Sequence, residues 1–139
     1  MTDELRVEAA LENLPAVTSF VTAPLTTLGC SLKEQLNIEL VAEEIFVNIA
    51  SYAYPSGTGP VVIERRVTEA PVSLWLTFRD RGIPYDPLEQ APPDLDLSLE
   101  ERPIGGLGVF LVRKIVDEMR YEYRDGQNIL TLRKIFRRN

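Results

Sequence analysis

Apolar and polar residues alternate at the start of the chain, with Leu5, Val7 and Ala9 set against Arg6 and Glu8, which is the period of a half-buried strand. From Asn13 to about Leu28 the apolar residues recur at helical spacing instead. Asn13-Leu14-Pro15 is a start signal and Gly29 a stop, so the stretch is predicted to be one helix. Ser31 with Glu34 three residues on makes a capping box, and a longer helix is expected to run from there to about Tyr54, before Pro55 and Gly57. Apolar residues cover most of its circumference, which predicts a buried helix.

Two alternating runs follow, Pro60 to Thr68 and Val72 to Phe78, joined by Glu69-Ala70-Pro71; they read as a hairpin. Between Arg79 and Ile104 no period survives, and prolines 84, 87, 92, 93 and 103 work against any regular element. A loop of that length in a compact domain is usually a lid or a binding segment, here about residues 87–104. Leu107 to Glu118 reads as a helix, and Arg120–Tyr123 with Asn128–Phe136 as a closing hairpin around Asp125-Gly126. Helices that do not alternate strictly with strands predict an α+β fold, a two-layer sandwich with a mostly antiparallel sheet and helices on one face.

Composition narrows the function. With 139 residues and 45% hydrophobic content, one core is affordable and two are not, so residues 1–139 are expected to form a single domain. A net charge of −6 without a long basic run before the C-terminal tail disfavours nucleic acid as a partner. No apolar run is long enough to span a membrane and no signal-peptide pattern opens the chain, which predicts a cytoplasmic protein with no membrane partner. The lone Cys30 cannot form an internal disulfide. The absence of histidine removes Ser-His-Asp and Cys-His nucleophile pairs, so any general base must be a carboxylate or another non-imidazole group.

Three segments carry candidate chemistry. In the long helix, Glu44, Asn48 and Tyr52 stand at i, i+4 and i+8 and so share a face; beside Val47 and Ile49 they either meet a cation and water or form a solvated stripe. Asp80-Arg81-Gly82 ends a strand, placing a carboxylate either at a pocket mouth, where it suits an exocyclic amine, or in an ordinary Asx turn. Gly105-Gly106-Leu107-Gly108 feeds directly into an apolar helix, a junction that either cradles phosphate or merely caps the helix.

Taken in this order, the three segments resemble the N, G1 and G2 boxes of the GHKL ATPase superfamily, with its Bergerat ATP-binding fold. More narrowly, nearly the whole chain resembles the stand-alone anti-sigma-factor serine kinases of the RsbW and SpoIIAB type. The resemblance implies ATP or ADP and Mg²⁺ as cofactors. It places Glu44 at the general base, Asn48 at the Mg²⁺ ligand bridging the ATP phosphates, and Asp80 at the adenine-reading carboxylate. Gly82 falls at the glycine that leaves space beneath the base. Gly106 and Gly108 fall at the phosphate-facing turn, with Gly105 as the lid hinge, and Thr131 at the position that supports adenine through water. Arg102, Arg113 and Lys114 are the candidate cations for the phosphates.

The implied activity is an ATP-dependent protein serine/threonine kinase phosphorylating a STAS-domain anti-sigma-factor antagonist in a partner-switching system. A sigma factor is a further candidate partner. The alternative is a nucleotide-gated anti-sigma or other partner-binding module with little or no kinase activity. The Leu5 strand and the Ala16-Val17-Phe20-Val21 face suit a homodimer surface and a core equally well.

Overall fold

The computed structural model describes residues 2–89 and 106–137. Five strands, β1 (Thr2–Glu8), β2 (Pro60–Thr68), β3 (Ser73–Asp80), β4 (Glu118–Arg124) and β5 (Gln127–Ile135), form one sheet in the order β1-β2-β3-β5-β4. Every neighbouring pair is antiparallel. Helices α1 (Leu14–Thr22), α2 (Leu32–Tyr52) and α3 (Gly106–Ile115) complete the α+β architecture. Among the described residues, no helix is long and apolar enough to cross a membrane.

The register assigns each strand residue to a face. Val61, Ile63, Leu74, Leu76, Phe78, Leu130 and Leu132 join Val17, Val21, Ile38, Ile45, Phe46 and Val112 in one buried core. The opposite face of the sheet is polar. There Arg66 and Arg133 flank the Trp75 ring at 5.4 and 4.9 Å from its centroid, Arg79 pairs with Glu64 and Arg133 with Glu118. A shallow depression of about 610 Å³ lies on this face.

Several sequence expectations change, among them the helix expected over Leu107–Glu118, which ends at Ile115 and gives way to β4 at Glu118. The helix expected over Asn13–Leu28 ends at Thr22, because Pro24 has no N–H to donate to the Phe20 carbonyl, which accepts from Arg65 Nη1 at 2.6 Å instead. Turns carry the chain on to Cys30, whose N–H donates to the Leu25 carbonyl at 3.0 Å. Asn13 makes no side-chain cap; its Nδ2 donates back to the Glu8 carbonyl at 2.9 Å. Helix α2 does begin on the capping box, with the Glu34 N–H donating to Ser31 Oγ at 3.1 Å and the Ser31 N–H to Glu34 Oε1 at 2.8 Å. It is buried along one stripe only, Ile38, Val41, Ala42, Ile45 and Phe46. Leu32 and Leu36 are 73% and 55% exposed, so its apolar circumference does not translate into burial all round.

The β4–β5 hairpin turns through Asp125 and Gly126, both at positive φ (54° and 76°). That is the geometry of a two-residue turn whose twist matches the flanking strands, and Asp-Gly is the pair best suited to it.

Candidate nucleotide site

The inward stripe of α2 crosses the end of β3 at its C-terminal half. Between them lies a cavity of about 50 Å³, lined by Ile45, Asn48, Ile49 and Tyr52 of α2, Phe78 and Asp80 of β3, Tyr121 of β4, and Asn128 and Leu130 of β5. Ile83, Tyr85 and Pro87 of the following loop close its rim. Ile83 and Tyr85 are exposed there, as is Tyr52, an apolar and aromatic lip suited to a flat ring.

Asp80 is buried at 6% exposure. Its Oδ1 accepts from the Gly82 N–H and from Asn128 Nδ2, both at 2.9 Å. Burial pushes its carboxyl above the usual carboxylate range, opposed by those two donors. Among the described residues no buried side-chain oxygen lacks a partner. Oδ2, which accepts no donor among the described residues, therefore keeps some solvent access, in a residue that lines the cavity.

Asn48 is half-buried and, among the described residues, has no hydrogen-bond partner for its amide. An unpaired amide oxygen on an apolar wall suits a hard cation such as Mg²⁺ bound mainly by phosphate oxygens and water. Glu44 lies one turn further towards the start of α2, outside the cavity lining and against the first turn of α3. A Cβ on Gly108 would stand 2.9 Å from the Glu44 carboxyl carbon and closer still to Oε2. A side chain at this position would push the Glu44 carboxylate out of its observed place. Burial raises the Glu44 carboxyl from its ordinary value, and the neighbouring Glu43 charge raises it further, as suits a proton acceptor working near neutral pH.

Gly106 is the first residue of α3 and Gly108 lies in its first turn, where helical N–H groups have no intrahelical partner. Gly105 and the lid from residue 90 to 104, with Arg102, lie outside the described residues. Arg113 and Lys114 stand in the last turn of α3, about 10 Å along the helix from Gly106. Arg113 Nη1 instead approaches the Leu88 carbonyl at 3.5 Å, and Lys114 lies over the Phe110 ring at 5.3 Å.

Two residues are not placed as the sequence suggested. Thr131 pairs with Thr77 and lines the depression on the polar face of the sheet, opposite the cavity. The strand period of two decides this, because Asn128, Leu130 and Leu132 form the inward row and Thr131 falls between them. The inward polar residue beside Asp80 is Asn128. Gly82 does not line the cavity. A Cβ there would collide with the Ala53 backbone, 2.6 Å from its carbonyl carbon, where the Ile83 N–H donates to the Ala53 carbonyl at 2.9 Å. Its lack of a side chain serves the packing of the loop on the end of α2, and its N–H orients Asp80. Asn128 was legible in principle as a polar residue standing in the same alternate row of β5 as the apolar Leu130 and Leu132. Tyr121 and Tyr85 offered no comparable signal, since their roles depend on contacts distant in sequence.

A family model described as histidine kinase-like ATPase domain matches residues 7–134. The serine/threonine-protein kinase BtrW of Bordetella bronchiseptica is 35% identical over 103 residues, covering 73% of this chain and 71% of that protein. The serine-protein kinase RsbW of Bacillus cereus is 20% identical over 138 residues, covering 96% of this chain and 85% of that one. The fold is similar to the crystal structure of the RsbU and RsbW domains of a Mycobacterium tuberculosis protein, with a TM-score of 0.65 and 16% identity. That match takes in 98% of this chain and 33% of the larger one, so the chain spans a third of its length.

Proposed function

Because this chain belongs to the histidine kinase-like ATPase domain family, we propose that it is an ATP-dependent protein serine/threonine kinase acting on a STAS-domain anti-sigma-factor antagonist in a partner-switching system. One observation carries the reading. Asp80 Oδ2, the Asn48 amide and the Glu44 carboxylate lie in sequence along one seam between β3, α2 and α3, and none has a protein partner among the described residues. None of the three is sealed from solvent, since no buried side-chain oxygen or nitrogen among the described residues lacks a partner, so each is open to a ligand.

The roles follow from the chemistry of each group. Asp80 Oδ2 accepts from the exocyclic amine of adenine. The N–H groups at the start of α3 face the phosphates, with the helix dipole favouring their charge. Asn48 would hold Mg²⁺, which supplies charge neutralisation on the phosphates when bound. Glu44 takes the proton of the acceptor hydroxyl as its oxygen bonds to the γ-phosphorus and the bond to the ADP oxygen breaks. No histidine is needed for that sequence of events.

The test is transfer of labelled γ-phosphate from ATP, with Mg²⁺, to a purified STAS-domain protein encoded beside this chain. Phosphoserine or phosphothreonine on that protein, abolished by Glu44→Gln, is the expected result. Nucleotide-dependent capture of the partner or of a sigma factor without transfer would replace the kinase reading with that of a gated binding module.

A further inference from the structure

Asn128 touches more of the site than any residue the reaction itself requires. It is buried at 6% exposure. Its Nδ2 donates to Asp80 Oδ1 and to the Ile83 carbonyl, each at 2.9 Å, with the Gly82 carbonyl further off at 3.5 Å. Its Oδ1 accepts from the Tyr85 N–H at 3.1 Å and from the Tyr121 hydroxyl. Both amide hydrogens and both acceptor sites are therefore used. Reversing the amide would set its donors against an N–H and its acceptor against two oxygens, so one orientation alone satisfies all four partners.

Such a saturated amide has nothing left to offer a ligand directly. Its effect passes through Asp80. With the Gly82 N–H, it fills both acceptor positions of Oδ1 and fixes the plane of the carboxylate, which leaves Oδ2 as the open acceptor of a residue that lines the cavity. We infer that Asn128 is the positioning residue for base selectivity: by locking Asp80 as a one-sided acceptor, it makes the pocket take a purine bearing an exocyclic amine and refuse one bearing a carbonyl there. Through Ile83 and Tyr85 the same amide holds the rim loop against the base. This inference rests on the reading of the cavity as an adenine site.

The discrimination has a physical basis in the cost of facing two acceptors. A ligand carbonyl set against Oδ2 leaves both oxygens unpaired, a larger loss than a missing hydrogen bond. A mobile Asp80 could turn away from the clash and be satisfied elsewhere, which would blunt the discrimination. Several titratable and charged groups surround Asp80. Tyr54 at the end of α2 and Tyr121 on β4 face it, both phenols held above their ordinary range chiefly by burial. Arg6 of β1 and Arg79 and Arg81 lie on its outer side, with Tyr85 and Asp86 on the loop.

The experiment measures ATP and ITP binding by calorimetry, and KM and kcat for phosphate transfer, in the full chain carrying Asn128→Leu, Asn128→Thr or Tyr121→Phe. Asn128→Leu is expected to weaken ATP about tenfold, the worth of a buried hydrogen bond to a charged group, while leaving ITP within about twofold, so that selectivity collapses. KM for ATP should rise by more than kcat falls. Since the Asn128 donor lowers the Asp80 pKa, its loss should also move the acid limb of ATP binding to higher pH. Tyr121→Phe, which removes one of the two donors to Asn128 Oδ1, should shift selectivity in the same direction by less. Asn128→Thr decides the question if Asn128→Leu fails to fold by circular dichroism. Equal losses for ATP and ITP, or an unmoved pH profile in a folded variant, would overturn the inference and leave Asn128 a packing residue. Wild-type protein that binds no ATP would instead overturn the nucleotide reading, and this inference with it.

Discussion

Asp80 illustrates how a binding residue can work against the stability of its own fold. Its charge is buried beneath the rim loop, and the raised pKa means that the folded protein holds a proton there more tightly than the unfolded chain does. The stabilisation from that proton is fully present below the ordinary carboxylate range and is lost as pH rises through the raised value. Asp80→Asn should accordingly abolish ATP binding while raising the melting temperature at pH 7, and the gain should shrink on acidification towards pH 4. Thermal melts across that pH range read both effects; a melting gain that persists unchanged in acid would refute the burial argument. Glu44 is tuned in the same direction by burial and by Glu43. Glu44→Gln is expected to cut phosphate transfer by a factor of about 10² to 10⁴, the usual contribution of a general base, with ATP affinity retained in equilibrium binding. These tunings were not legible in the sequence, which contains neither the burial of Asp80 nor the contact between Glu44 and Gly108.

At the scale of elements, α2 and α3 are placed by different kinds of information. The start of α2 was written locally in Ser31 and Glu34, and the structure forms both hydrogen bonds of the capping box. Ser31→Ala should lower unfolding stability by about 1 kcal/mol, seen as a reduced urea midpoint at constant slope. Where α3 meets α2, the missing side chain at Gly108 leaves room for the Glu44 carboxylate. Gly108→Ala gains helix propensity of about 1 kcal/mol, yet its methyl group must displace the Glu44 carboxylate. The outcome expected is a stable protein whose kcat falls about tenfold or more, with a misplaced base as the cause. A variant with normal kcat would show that Glu44 need not occupy its observed position. Pro24 shows the limit of periodicity: the apolar spacing from Asn13 to Leu28 continues through it, but the backbone hydrogen bonding does not.

Across the whole molecule, the site and the core share a wall. Phe78 lines the cavity and is also among the fully buried side chains beneath the helices, so nucleotide binding should be read out as global stability. ATP at a hundred times its Kd is expected to raise unfolding stability by about 2.7 kcal/mol. Phe46→Ala, which opens the core on the α2 side, should lower it by about 3–5 kcal/mol, with ATP restoring part of the loss in thermal melts. The sequence by itself determined the order of elements, the capping box, the tight Asp-Gly hairpin and the antiparallel α+β class, because each rests on local backbone chemistry or on a period within one segment. It also determined that Glu44 and Asn48 share a helix face. Only the tertiary structure decided that Thr131 looks away from the cavity and Asn128 into it, that Gly82 packs on Ala53, and that Gly108 meets Glu44. Those facts depend on strand register and helix approach, which bring together residues about thirty to sixty positions apart, and no local pattern encodes that distance.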